Sequence, residues 1–354
     1  MALLADPTDS FAQEKAKGRP AAKGKGTQGQ PGRAGTLPAP THASVPYGPH
    51  EKNVLDLWLA KSDKPAPLAV FIHGGGFGAG SKEDLNPREL KELLDAGISV
   101  AALNYRLIAQ APLPAAHQDC ARALQFIRSK AGEWNLDKTR GGGFGGSAGA
   151  QLVMYLAFHD DLADPKSDDP IARESTRLAC VAPSDAQMTM DFDWWVQHVP
   201  GYDQPMRDPL APFGAKTKEE ALAKNKKIAA LELISRDDPP VFLTYVMAPG
   251  QPYPDNPQTV RNWKIHHVAH GVELKKLCDR LGVECHLKYP GADTRYASTV
   301  EFFKAKLLAA SNTKTAASPA PAAAKKAPAG ALTRTTSSFT TATFLSPRRP
   351  RTRS

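Results

Sequence analysis

Residues 143–158 read GFGGSAGAQLVMYLAF. Within them Gly145-Gly146-Ser147-Ala148-Gly149 matches Gly-x-Ser-x-Gly, and the largely apolar stretch AQLVMYLAF follows at once. Glycines two residues to either side of a serine permit a sharp turn from strand into helix. Such a turn lifts the hydroxyl above a sheet edge, with the N-terminus of the helix behind it. In a chain with 27 glycines the pentad by itself also fits an ordinary Gly-rich turn. Its meaning rests on what precedes it.

Seventy-four residues upstream stands His73-Gly74-Gly75-Gly76-Phe77, directly after the apolar run LAVFI. Glycines there let backbone N–H groups face open space, as stabilisation of a developing oxyanion requires. A Gly-rich turn after a strand also suits a phosphate. This one lacks the Gly-x-Gly-x-x-Gly spacing and the Lys-Ser/Thr that completes a P-loop. With helix, strand and helix between the two motifs, the pair points to a serine hydrolase site.

Outward from these motifs, short apolar runs alternate with longer amphipathic ones, the pattern of strands crossing over through helices into a parallel sheet. Residues 54–59, 67–72, 98–103, 178–181, 240–246 and 283–289 read as strands. Residues 87–96, 115–133, 148–158, 218–231, 263–281 and 299–308 read as helices. In the second of these, Cys120, Ala123, Leu124 and Ile127 recur at i, i+3, i+4 and i+7, which buries one face against a sheet. The expectation is a three-layer α/β domain over 45–310. A Trp- and Pro-rich excursion lies around 191–213, in which Asp191, Trp194, Trp195 and Tyr202 either line an acyl or aromatic pocket or pack on their own domain. Gly141-Gly142-Gly143 is unusual for a strand entering such a turn, because glycine offers nothing to pack.

The formal charge of +9 invites a nucleic-acid reading, but it sits in the tails. Residues 1–44 carry a net +3 and residues 311–354 a net +8, leaving 45–310 at −2. A strongly basic folded domain is excluded, and no specific nucleic-acid partner is expected. The Gly/Pro/Lys/Ala composition of 1–44 and the Ala/Pro/Ser/Thr composition of 311–354 read as a disordered arm and a disordered basic tail. No apolar run approaches the ~18 residues of a membrane-spanning helix. Met1-Ala2-Leu3-Leu4-Ala5 has neither the basic nor the full apolar region of a signal peptide. As written the chain reads as cytoplasmic, or as exported if those residues are the stub of a longer signal. Cys120, Cys180, Cys278 and Cys285 form no Cys-x-x-Cys pair and read as buried free thiols.

From about residue 47 to 308 the chain resembles the α/β-hydrolase superfamily, and within it the esterases of the hormone-sensitive-lipase and feruloyl-esterase-like (BD-FAE-like) kind. The resemblance rests on five stretches. These are 73–77, Ala102-Leu103-Asn104-Tyr105-Arg106-Leu107, 145–150, Asp237-Asp238-Pro239-Pro240-Val241-Phe242-Leu243, and Leu281-Gly282-Val283 leading to Tyr289-Pro290-Gly291. It implies an α/β-hydrolase fold with a mostly parallel central sheet and helices on both faces. It also implies Ser147 as nucleophile, an oxyanion hole from the N–H groups of Gly75, Gly76 and Ala148, a small-molecule ester as substrate, and no cofactor or metal. His73 and the Asp237-Asp238 pair read as turn-shaping residues, and His286 as a residue inside a strand.

The remaining triad members depart from the family pattern. Such esterases follow Tyr-Pro-Gly with a histidine step, whereas this chain reads Gly291-Ala292-Asp293-Thr294-Arg295-Tyr296. After the strand over 240–246 the early aspartate is missing, and residues 247–257 hold Asp255 as their one carboxylate. A serine without a base is a poor nucleophile at neutral pH. His266, His267 and His270 open the helix expected over 263–281, at the sheet edge that carries the serine. His266 and His270, four apart, share a helix face. Part of the resembling group is similar in keeping a histidine at such a helix start and an Asp-x-x-Tyr step, here 293–296. Two readings follow: an esterase with its base relocated to His266, oriented by Asp255, or a weak or inactive homologue that binds a small ligand or partner while these histidines pack the helix start.

Overall fold

The computed structural model describes residues 35–309. The expected arm before residue 35 and the tail over 311–354 lie outside them. Eight strands form one sheet: β1 (His42–Pro46), β2 (Val54–Trp58), β3 (Ala66–Ile72), β4 (Ser99–Leu103), β5 (Leu136–Gly146), β6 (Cys180–Ser184), β7 (Val241–Thr244) and β8 (Cys285–Lys288). Their order is β1-β2-β4-β3-β5-β6-β7-β8. β2 runs antiparallel to β1 and β4, and all pairings from β4 through β8 are parallel. Every residue of β3 and β4 is buried, as strands covered on both faces require.

The helices are α1 (Pro87–Asp95), α2 (Ala115–Ser129), α3 (Ala148–Phe158), α4 (Phe192–His198), α5 (Lys218–Lys226), α6 (Ala230–Leu233), α7 (Pro257–Ile265), α8 (Ala269–Leu281) and α9 (Thr299–Phe303). Two apolar layers result. Cys120, Ala123, Leu124 and Ile127 of α2 join α3 and α8 on one face, in a cluster with Val70, Val181 and Leu243. Leu90 and Leu93 of α1 join Phe302 and Phe303 of α9 on the other, with Ala69, Phe144 and Phe242. The three-layer α/β domain expected from the alternating pattern, with the mostly parallel sheet and two helical faces that the resemblance implies, is the one observed, and all four cysteines are free and buried.

Several boundaries differ from the pattern-based expectation. Strand β1 begins at His42, inside the stretch read as an arm, and Pro38 accepts a hydrogen bond from Trp58 Nε1 at 2.9 Å. Composition registers the lack of large apolar groups there but not edge pairing, which needs only backbone. The helix expected over 218–231 divides into α5 and α6. The one expected over 299–308 is α9 followed by a wider π turn through Leu308. The most consequential difference is that residues 263–281 are not one helix, since α7 ends at Ile265 and α8 starts at Ala269. In the excursion Phe192, Trp195, Val199 and Tyr202 form a small core of their own, so Trp195 and Tyr202 pack among themselves rather than line a pocket.

The glycine run in β5 has a packing explanation. A Cβ on Gly142 would meet Phe303 at 2.9 Å and Leu307 at 3.2 Å, and one on Gly143 would meet Leu178 at 2.9 Å and Val153 at 3.3 Å. In this central strand the neighbours' side chains occupy the volume a side chain would need.

Candidate active site

Ser147 joins β5 to α3 with φ 54° and ψ −117°, a conformation that a non-glycine residue holds only when its surroundings enforce it. The surroundings are tight. A Cβ on Gly145 or on Gly149 would sit well inside van der Waals contact of the Ile72 carbonyl oxygen, so the turn closes against β3 only with glycine at both positions. The Ser147 N–H donates to Ser184 O at 3.0 Å, which fixes the turn to β6.

The 73–77 loop passes directly over this serine. A Cβ on Gly74 would lie 2.8 Å from Gly146 O and 3.6 Å from Ser147 Cβ. Gly75, Gly76 and Phe77 all have positive φ, at 99°, 61° and 64°, which turns the chain back over the sheet edge. The loop and the turn that follows it are pinned by residues 104–108. Tyr105 OH donates to His73 O at 2.9 Å, the Lys82 N–H to Asn104 Oδ1 at 2.7 Å, and the Ile108 N–H to Phe77 O at 2.9 Å. Arg106 in turn grips Asp119 of α2 through Nε and Nη2. His73 is buried, stacks on Tyr105 with ring centroids 4.2 Å apart, and donates Nδ1–H to Gly74 O at 2.8 Å. Burial lowers its pKa.

No acceptor among the described residues takes the N–H of Gly75 or Gly76. Ala148 opens α3, where no preceding helical turn accepts its N–H. The helix dipole adds partial positive charge at the same point.

His266 caps the C-terminus of α7, its N–H bonded to Asn262 O at 2.9 Å. Its Nε2 lies 3.0 Å from Ser147 Oγ and its Nδ1 lies 2.8 Å from Asn262 Oδ1. An amide oxygen only accepts, so Nδ1 carries the proton and Nε2 presents its lone pair to the serine hydroxyl. Burial pushes the His266 pKa down to about 4.

Two buried glutamines hold this junction in place. Gln151 of α3 donates to Gln187 Oε1 at 2.9 Å, and Gln187 donates to Ile265 O at 3.1 Å, so the helix behind the serine is tied to the residue before His266.

The other candidates lie elsewhere. His267 Nδ1 accepts the Ala269 N–H at 3.1 Å, and its ring meets Trp263 edge-on. His270 is fully buried against Trp194 and Trp195 and accepts the Met188 N–H at 3.4 Å. With the helix broken between them, His266 and His270 do not share a face. Asp255 is exposed and makes no hydrogen bond or ion pair among the described residues, and the place expected for it beside the imidazole is held by Asn262. Asp185, just past β6, spends its carboxylate on the Val246 N–H at 3.2 Å. Tyr296, after the Tyr-Pro-Gly step, packs against Phe242 and Phe302. His286 bonds Glu284, and the Asp237-Asp238 pair organises the turn at Ser235.

Sequence reasoning missed Asn262, Gln151 and Gln187. One signal was available. Asn256-Pro257 is a helix-start signature, and Asn256 Oδ1 does accept the N–H of Gln258 and Thr259. A helix starting there places Asn262 one turn before His266.

A serine elbow at the end of a central strand, a glycine loop over it and a parallel sheet behind them define the class of α/β-hydrolases to which esterases belong. The BD-FAE family model matches residues 55–248, more than half of the chain, and the chain belongs to that family. Among solved structures it is similar to a truncated carbohydrate esterase from gut microbiota, with a TM-score of 0.60 and 21% identity over 75% of this chain and 96% of that one. A second is an acetyl ester-xyloside bifunctional hydrolase from Caldicellulosiruptor lactoaceticus, with a TM-score of 0.51 and 23% identity over 67% of this chain and 76% of that one. These likenesses bear on the fold. Among curated proteins it is similar to probable carboxylesterase 6 of Arabidopsis thaliana, 31% identical over 38% of this chain and 46% of that one. It is also similar to tuliposide A-converting enzyme 2 of Tulipa gesneriana, 32% identical over 31% of this chain and 24% of that one. The matches thus span a quarter to a half of these plant relatives.

Proposed function

We propose that the protein hydrolyses carboxylic esters through an acyl-enzyme on Ser147, with His266 as general base and Asn262 as the residue that positions its ring. The observation that carries this reading is the 3.0 Å separation of His266 Nε2 and Ser147 Oγ. As Oγ attacks the ester carbonyl carbon, His266 Nε2 takes the hydroxyl proton. The N–H groups of Gly75, Gly76 and Ala148 face the oxygen on which negative charge develops. The intermediate collapses, the C–O bond to the alcohol breaks, and His266 returns the proton to the departing alkoxide. Water then attacks the acyl-serine, with His266 accepting its proton and the same donors serving the second oxyanion. The regenerated serine and a carboxylic acid are the products.

A second reading has one observation in its favour, that His266 leans on an exposed amide rather than a carboxylate. Without a negative charge beside it the imidazolium formed in the transition state is less stabilised. The site then binds a small ligand and turns it over slowly or not at all. Hydrolysis of p-nitrophenyl acetate and butyrate decides between them. In the esterase reading Ser147→Ala and His266→Ala each lower kcat by about 10³-fold or more. Activity that survives Ser147→Ala overturns the acyl-enzyme, and a folded wild type without turnover favours the binding protein.

A further inference from the structure

The loop after α4 sends one side chain back to the oxyanion loop. Arg207 is exposed, and its Nη1 donates to Gly76 O at 3.2 Å. A Cβ built on Gly76 would meet Arg207 Nη1 at 3.5 Å and nothing else within 4 Å, so the guanidinium borders the otherwise open side of this glycine. Of the five N–H donors of a guanidinium, one is used by this contact. Arg207 forms no ion pair among the described residues. The acids beside it in the chain are engaged: Asp203 pairs with Lys264 at 2.8 Å, and Asp208 Oδ1 accepts the Leu210 N–H at 2.8 Å.

A permanently charged fork with no ion-pair partner among the described residues thus stands at the rim of the oxyanion pocket. Within one residue N and O are at most about 3.6 Å apart. Adding the 3.2 Å contact and one hydrogen-bond length places Nη1 no more than about 10 Å from the oxyanion position. A carboxylate about four to six bonds from an ester carbonyl reaches across a gap of that order while accepting two of the free N–H groups.

Resting on the esterase reading, we propose that Arg207 is a specificity-determining residue that selects esters carrying a carboxylate near the scissile bond. The positive rim recruits the anionic ester and fixes its orientation, and neutral esters of the same size lack this anchor. A carboxylate on the acyl side or on the alcohol side would meet the same chemistry.

The test measures kcat/KM for two matched pairs: mono-p-nitrophenyl glutarate against p-nitrophenyl butyrate, and 4-acetoxybenzoate against phenyl acetate. The first pair carries the carboxylate on the acyl side and the second on the alcohol side. In the wild type at least one charged ester is favoured roughly tenfold over its neutral partner, and the pair that shows it assigns the side. Arg207→Gln lowers that ratio roughly tenfold, Arg207→Lys keeps the charge but not the fork and retains only part of it, and Arg207→Glu inverts it. Raising NaCl from about 0.02 M to about 0.5 M lowers the wild-type ratio several-fold, a readout that needs no variant to fold. A wild type that hydrolyses neutral esters with no charged-ester preference in either pair overturns the proposal and leaves the esterase reading standing. A ratio unchanged in Arg207→Gln, with both esters slowed alike, overturns it in favour of a purely structural hold on Gly76. A wild type inert toward all four esters overturns the esterase reading and the proposal with it.

Discussion

His266 sits in an environment that burial alone has tuned. Its pKa is pushed down to about 4, so the ring is neutral and able to accept a proton throughout the neutral range. In the proposed mechanism the acid limb of kcat/KM therefore falls near pH 4 rather than near the 6.5 of a free imidazole. Asn262→Asp places a negative charge 2.8 Å from Nδ1, which favours the protonated ring. The expected result is an acid limb shifted upward by about one unit or more, together with a faster reaction above pH 8, where the imidazolium of the transition state gains a counter-ion. A limb that stays in place in Asn262→Asp means the ring is not held by residue 262. Asn262→Ala lowers kcat by about 10- to 100-fold with less effect on KM, because the ring loses its tautomer and orientation while the ester site is untouched. His266 stood among the candidates for a relocated base in the chain, whereas Asn262 did not. His266 was one of three closely spaced histidines, and an asparagine four residues earlier gains meaning only once α7 is known to start at Pro257 and to end just before His266.

At the level of elements, the elbow is a packing device whatever chemistry Ser147 performs. β5 and α3 press so closely on β3 that Gly145 and Gly149 meet its backbone rather than its side chains. Backbone does not yield as a rotamer does. Gly149→Ala is expected to destabilise the fold by about 3 kcal/mol, seen as a Tm lower by roughly 6–12 °C, with activity lost even in the folded fraction. A thermal melt unchanged from wild type would mean β3 is free to shift. β3 and the serine turn were legible in advance because their causes are local: a buried parallel strand is an unbroken apolar run, and a strained serine needs flanking glycines wherever it occurs, whereas the glycine-rich β5 carries no apolar run to read. The break between α7 and α8 was not. Residues 263–281 keep a helical pattern across His266–Val268, and the interruption is held by distant partners, including the Gln187 contact to Ile265 O.

For the molecule as a whole, buried histidines set the response to acid. His117 and His270 are completely enclosed, and burial pushes both to about 3. In the unfolded chain each titrates near 6.5, so below that pH the unfolded state binds more protons and stability declines as pH falls from 6.5 toward 3. Asp185 and Glu89, raised by burial to about 6 and about 7, act in the opposite direction. The net slope is a difference, and one histidine is best isolated by comparison. Replacing His117, whose two ring nitrogens have no hydrogen-bond partner among the described residues, by leucine should remove about 2 kcal/mol of the wild-type loss between pH 7 and pH 5, measured by urea unfolding at each pH. Identical pH dependence in the two proteins would show that His117 is already protonated or solvated in the fold.

The net +9 of the chain belongs to its ends, and the segment over 45–310 carries −2. What the amino-acid order alone determined was most of the sheet and of its covering helices, the serine turn and the glycine loop. Each of these follows from periodicity or backbone stereochemistry within a few residues. What only the tertiary structure decided was the company Ser147 keeps. His266 is 119 residues away in the chain, and Arg207 reaches Gly76 across 131. Whether such pairs meet depends on how loops travel over the sheet edge, which is set by the summed packing of the domain and by no local pattern.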